Sequence, residues 1–153
     1  MAENSPATPG LIDRIISVLE TASSGPAFDE AILNASFVFE KARGLPPVGW
    51  PDQVIGANVT NDDVARLKVC LVNLIERGGR GSWALGNSCD AKLKATYVRV
   101  LRREMNGDAG ELYQAIIALM NIGECFDEDR HSCSILDEAE NRALARKYLE
   151  SQD

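Results

Sequence analysis

Apolar residues in this chain recur at three- and four-residue spacing, and glycine or proline cuts each run before it can grow long. Leu11, Ile12, Ile15, Ile16 and Leu19 form one such stripe, closed by Gly25-Pro26. That period belongs to an amphipathic helix. No stretch shows the strict alternation of β-branched residues between turn signals that marks a strand. The pattern predicts an all-α fold.

Read this way, the chain breaks into helices. The first covers 10–22, with Thr8 as cap and Pro9 in its first turn. The second runs from Phe28 to Arg43 and offers Ile32, Leu33, Phe37 and Phe39, with the small Ala35 and Ala42, for burial, before Gly44 and Pro46-Pro47 stop it. A third starts at Thr60 or Asn61, where Asp62 and Asp63 suit the positive end of its dipole, and Gly78-Gly79 ends it. A short helix is predicted over Ser82–Asn87. Ser88 or Asp90 opens the next, which closes on Arg102 and Arg103, basic residues that complement the negative end of their own helix. Glu111–Glu124 is apolar on most sides and is predicted to be central. Leu136–Leu149, with Ala139, Ala143, Leu144 and Tyr148 inward, is the last. Residues 1–8 and 151–153 read as frayed tails, and 1–153 as one helical domain, a size that buries a sufficient core unaided.

Two stretches resist this pattern. Residues 45–59, LPPVGWPDQVIGANV, hold three prolines and two glycines yet carry Val48, Trp50, Val54 and Ile55. Long loops with apolar content are often functional. Trp50 either pins the loop to the body or, with Asp52, meets a partner. Residues 125–135, CFDEDRHSCSI, carry Asp127, Glu128 and Asp129, an acidic knob for a partner's Arg or Lys or simply a solvated tip.

The formal net charge of −7 opposes nucleic acid, whose backbone needs clustered cations, and favours a basic protein partner. No basic-then-apolar leader opens the chain, and no apolar run is long enough to span a bilayer, so the expectation is a cytoplasmic protein with reduced cysteines.

Catalytic and metal chemistry find little support. The one histidine, His131, lies between Cys125 and Cys133, and Cys89 or an aspartate could complete a zinc set, but the spacing fits no standard zinc module. A Cys–His nucleophile would lack an orienting third group and oxyanion donors. Asp127-Glu128-Asp129 lacks the glycine and distal glutamate of a calcium loop. Gly78-Gly79-Arg80-Gly81 is followed by no Lys-Ser/Thr and reads as a flexible connection, not a phosphate loop. No cofactor, metal or catalytic residue is assigned.

Two segments share a phrase. Ala84-Leu85-Gly86 is followed by Asp90, and Ile122-Gly123 by Asp127. Each reads as a helix closed by a left-handed glycine, then an acidic cap for the next helix. The text from 80 to 124 resembles HEAT repeats, whose units are antiparallel helix pairs with an Ala-Leu-Gly phrase at the turn. Gly86 and Gly123 are 37 positions apart, slightly under the family's ~40–47. The resemblance implies a short right-handed α-α superhelix of stacked hairpins that binds protein, with both long loops on one edge. Short acidic chains of this kind also resemble immunity proteins of bacterial toxin systems, which implies a partner toxin domain with a basic surface. A small-ligand protein or enzyme with a pocket under the Trp50 loop is the alternative.

Overall fold

A computed structural model of the chain describes residues 10–126 and 137–152. Every regular element among the described residues is helical: α1 (Leu11–Thr21), α2 (Pro26–Ala42), α3 (Asp52–Ile55), α4 (Asn61–Glu76), α5 (Ser82–Gly86), α6 (Lys94–Glu104), α7 (Ala109–Asn121) and α8 (Glu138–Gln152). A single 3-10 turn, Ala91–Leu93, leads into α6. The all-α expectation holds. The chain divides into two compact units, Met1–Cys70 and Leu71–Asp153, and the division falls within α4.

In the first unit α1 packs on α2. Leu11, Ile12, Ile15 and Leu19 are buried as the stripe predicts. Gly10 occupies the cap position of α1, while Thr8 and Pro9 lie outside the described residues. Pro26 takes the first position of α2, where its missing N–H costs nothing. On α2 Phe39 and Ala35 are buried as expected, but the rest of the expected face is not, and Ala42 is exposed. Phe28, Ala31, Ala35, Val38 and Phe39 face inward, whereas Leu33 is exposed and Ile32 and Phe37 are half-buried. Ala31 and Ala35 are small enough for a neighbouring helix to approach that face closely, and close packing outweighs the larger apolar content of the other.

In the second unit α7 is central, as predicted: α5, α6 and α8 all pack on it. Leu112, Ala115, Ile116, Ala118 and Leu119 are buried along it. On α8 the inward residues are Leu144, Ala145, Tyr148 and Leu149. Ala139 and Ala143, expected inside, are exposed. Ser151 and Gln152, expected to fray, belong to α8.

Three helices end in one motif. After α2, α4 and α7 the residues Gly44, Gly78 and Gly123 take φ of +78°, +86° and +94°. In each, the next amide bonds back five residues: Leu45 to Glu40, Gly79 to Leu74 and Glu124 to Leu119, at 3.1, 2.8 and 3.0 Å. This double closure satisfies carbonyls the helix itself leaves open. The connection after Gly78 is packed rather than flexible, since a Cβ on Gly79 would lie 2.3 Å from Leu74 Cδ1.

Gly86 departs from the expected left-handed stop. It is the last residue of α5, its φ is not positive, and the left-handed residue after α5 is Cys89, at φ 50°. Gly86 is required for another reason: a Cβ there would lie 2.9 Å from Ala118 Cβ on α7. It is the contact point of α5 and α7.

Basic side chains also reach the carbonyls at two helix ends. Arg142 of α8 donates to the carbonyls of Glu104, Met105 and Gly107 at the end of α6. Arg103, predicted to serve its own helix, instead donates to Ile75 O of α4 at 2.5 Å. Cations at open carbonyls complement the helix dipole.

Candidate partner-binding site

The 45–59 loop is irregular in sequence but held in place at several points. Pro51 caps the single turn of α3, whose Val54 and Ile55 amides both donate to Pro51 O. Val54 is fully buried. Lys41, in the last turn of α2, donates from Nζ to the carbonyls of Val54, Ile55 and Ala57 at 2.9, 2.7 and 2.5 Å. One ammonium thus satisfies three acceptors at the end of α3, and each is a charge-assisted bond. Gln53 bonds to Glu30 of α2 at 3.5 Å.

Trp50 is half-buried. Its Nε1–H is shielded from solvent and has no partner among the described residues. Much of the anchoring assigned to Trp50 from sequence therefore belongs to Lys41 and Val54. The loop still exposes apolar side chains: Val48 is 76% and Ile55 48% exposed, and Leu45 is exposed as well.

Beyond the loop the chain enters α4 through a reciprocal cap. Thr60 Oγ1 accepts from the Asp63 amide at 3.1 Å, and Asp63 Oδ2 from the Thr60 amide at 3.0 Å. Such a box satisfies two otherwise open donors. Arg66 pairs with both Asp13 of α1 and Asp63. Its hydrogen bond to Asp13 leads the effects that raise the guanidinium pKa.

Two adjoining clefts open in this unit. The larger, about 420 Å³, has Asp13, Asp52, Asp63 and Asn58 among its lining. The smaller, about 160 Å³, lies between α1 and α2 over Ile15, Val18, Ala31 and Asn34. Leu11, Arg14 and Gln53 line both. Asp52 is exposed and contributes to the larger cleft, whereas Trp50 lines neither. The larger cleft is lined on one side by Asp52, Gln53, Gly56, Ala57 and Asn58 of the 45–59 loop and on the other by residues 10–14. Asp127, Glu128 and Asp129 lie outside the described residues, as do His131 and Cys133, while Cys125 is exposed. Among the described residues no group of three His, Cys, Asp or Glu is placed to hold a metal ion, and no helix is long and apolar enough to cross a membrane.

The second unit holds two polar centres, both tied into packing. Asp108 caps α7 by accepting from the Glu111 amide at 3.0 Å. The Asp108 amide donates to Glu104 at 2.8 Å, so the Glu111 carboxylate is free to turn elsewhere. It accepts from Ser82 Oγ at 2.7 Å, at the start of α5, where Gly81 provides no capping side chain. Burial raises the Glu111 carboxyl, with Asp108 adding and the Ser82 hydrogen bonds and Arg103 opposing. Glu124 meets Lys94 at 2.6 Å and accepts from Tyr148 Oη at 2.6 Å. Both partners, Lys94 first, lower its carboxyl. Phe126 stacks on Tyr148, ring centroids 4.3 Å apart. Glu111 caps a helix and Glu124 fixes the end of α7 to α6 and α8.

Sequence reading missed Lys41, Asp13, Arg66 and Asn34. Asn34 alone left a signal: it is a polar residue within the stripe Phe28, Ala31, Ala35, Val38. Compared with known proteins, the chain matches no family model, no curated protein and no solved structure.

Proposed function

We propose that this chain is a protein-binding helical module, HEAT-like in plan, whose partner carries a basic surface, and that its role is that of an immunity protein holding a toxin domain. The observation that carries the reading is the 45–59 loop. Lys41 holds its second half through the Val54, Ile55 and Ala57 carbonyls, while Val48 and Ile55 remain exposed. A preordered loop loses little entropy on docking, and exposed apolar residues on it provide the desolvation that drives association. The exposed carboxylate of Asp52 beside it, together with the net charge of −7, favours and steers a cationic partner. This reading assigns the chain no catalysis.

Co-expression with the product of the adjacent gene tests it. The expected result is relief of growth arrest and a stable complex, with both lost in a Val48→Lys/Ile55→Lys double variant that folds normally. A complex that ignores both substitutions, or no complex at all, rejects the reading. One observation favours a small-molecule role instead: about 420 Å³ lies within the ~300–1,000 Å³ of ligand sites. Its carboxylates are those of a polar rim, however, and the apolar enclosure such sites use is lacking.

A further inference from the structure

Exposed apolar residues are unevenly spread along the chain. Among the described residues the large ones are Leu33, Leu45, Val48, Ile55, Val69 and Trp83, and four of these six lie within residues 33–55. Helical spacing and hydrogen bonds bring several of them together. Leu33, Phe37 and Lys41 recur at four-residue steps and so share one face of α2. Lys41 ends that line and donates to Ile55 O at 2.7 Å, which sets the end of α3 beside it. The Leu45 amide donates to Glu40 O at 3.1 Å, so Leu45 sits at the end of the same helix. Gln53 of α3 reaches Glu30 at 3.5 Å, yet α3 leaves Leu33 43% exposed. Leu33, half-buried Phe37, the aliphatic stem of Lys41 and Ile55 thus make one apolar ridge. It follows α2 for about 12 Å, two turns of helix.

The border of the ridge is acidic. By helical angle Asp29 and Glu40 fall on one side of the line from Leu33 to Phe37, and Glu30 falls on the other. Asp52 opens α3 and is exposed. Across residues 26–59 four carboxylates outnumber two cations, Lys41 and Arg43, and the Lys41 ammonium is turned onto three carbonyls. This charge selects the occupant. A second copy would bring the same acidic border against this one, and an anionic lipid surface would be repelled in the same way. A cationic protein element is drawn in. A straight apolar line two turns long matches the stripe of a helix, whose anchors recur at i, i+3, i+4 and i+7.

We propose that this ridge receives one cationic amphipathic helix of the partner protein. The apolar stripe of that helix packs on Leu33, Phe37 and Ile55. Lys or Arg on both sides of the stripe meet Asp29 and Glu40 on one border and Glu30 and Asp52 on the other. The inference rests on the partner-binding reading above and adds the kind of element that the partner presents.

The test is an NMR titration of the full chain with Ac-LKKLLKKLKKLLKKL-NH2, whose leucines form one helical stripe. Ac-KLKLKLKLKLKLKLK-NH2 has the same composition with leucine at alternate positions, and Ac-LEELLEELEELLEEL-NH2 keeps the stripe with the charge reversed. The striped lysine peptide is expected to shift the methyls of Leu33 and Ile55 and to bind about tenfold tighter than each control. Leu33→Lys, at an exposed site, should leave the fold intact and weaken that binding about fivefold or more, through lost burial and added like charge. Val69→Lys, at a still more exposed site on α4, should leave it unchanged. Equal binding of the striped and alternating lysine peptides, equal losses in the two variants, or shifts that miss Leu33 and Ile55 overturn the proposal. So does a dimer in sedimentation that Leu33→Lys disrupts. Failure of the striped peptide with the partner complex intact rejects the ridge alone. Peptide binding as expected with no partner complex rejects the wider reading and leaves the ridge as a helix-binding surface.

Discussion

Replacing Lys41 with methionine keeps most of the aliphatic stem and removes the ammonium that holds α3. Three carbonyls lose their donor at once: Val54, Ile55 and Ala57. Hydrogen bonds to a charged group contribute about 1.5–3 kcal/mol each, and the lower figure suits a half-exposed lysine, giving roughly 4–5 kcal/mol. Against this stands the rotamer entropy the lysine no longer loses, about 2 kcal/mol. The net local loss is about 2–3 kcal/mol. It should appear as easier opening of α3 rather than as global unfolding, because the core of α1 and α2 does not depend on the clamp. Amide hydrogen exchange reads this directly. The amides of Val54, Ile55 and Gly56, bonded to Pro51 O and Asp52 O, should exchange about 30- to 150-fold faster, while those within α2 change little. Exchange at α3 within threefold of wild type would refute the clamp and remove the basis for a preordered binding loop.

Gly86→Ala should destabilise the chain by about 1–3 kcal/mol in urea denaturation, because its Cβ meets Ala118 Cβ at 2.9 Å. Adding Ala118→Gly should recover part of the loss, and a neutral Gly86→Ala would remove the close-approach account. Glu111→Gln tests the buried cap. Because the folded carboxyl is raised above its ordinary 4.5, its contribution is present below that pH and declines as pH rises through the raised value. Wild-type stability relative to the variant should therefore fall from pH 4.5 upward in melts at stepped pH, and parallel pH curves would contradict it. Glu124 has the opposite sign. Its carboxyl is lowered by Lys94 and Tyr148, so its contribution is present above 4.5 and is lost on acidification. Glu124→Gln should flatten the acid limb by less than about 1 kcal/mol, since Lys94 is partly exposed and screened; an unchanged acid limb would count against the pairing.

Helix ends were the most legible part of this chain because their signals are local. Gly44, Gly78 and Gly123 act on carbonyls within five residues, Asp90 accepts from the Lys92 amide just ahead of it, and Pro26 starts α2 through its fixed φ; the Asp108 cap of α7, ahead of the expected start at Glu111, went unread. What lay beyond one turn was not legible. Asp108 and Glu111 are three residues apart, but Glu111 turns to Ser82, 29 positions away, because Glu104 already takes the Asp108 amide. Arg103 leaves its own helix end for that of α4 for a comparable reason: Arg142 occupies the place. Of the candidate site, Asp52 was found at a cleft, Trp50 was not, and Asp127, Glu128 and Asp129 fall outside the described residues.

By itself the order of residues determined that the chain is helical and where most helices stop, since spacing, caps and glycine act through bonds only a few residues long. Tertiary structure decided which face of α2 turned inward, that Gly86 is a contact point and not a left-handed stop, and that Lys41 reaches the 45–59 loop. It also placed Asn34 at the wall of a cleft. These outcomes depend on which surface each helix meets, and a helix offers several faces of similar apolarity. Close packing against a partner selects among them, and that partner is distant in sequence.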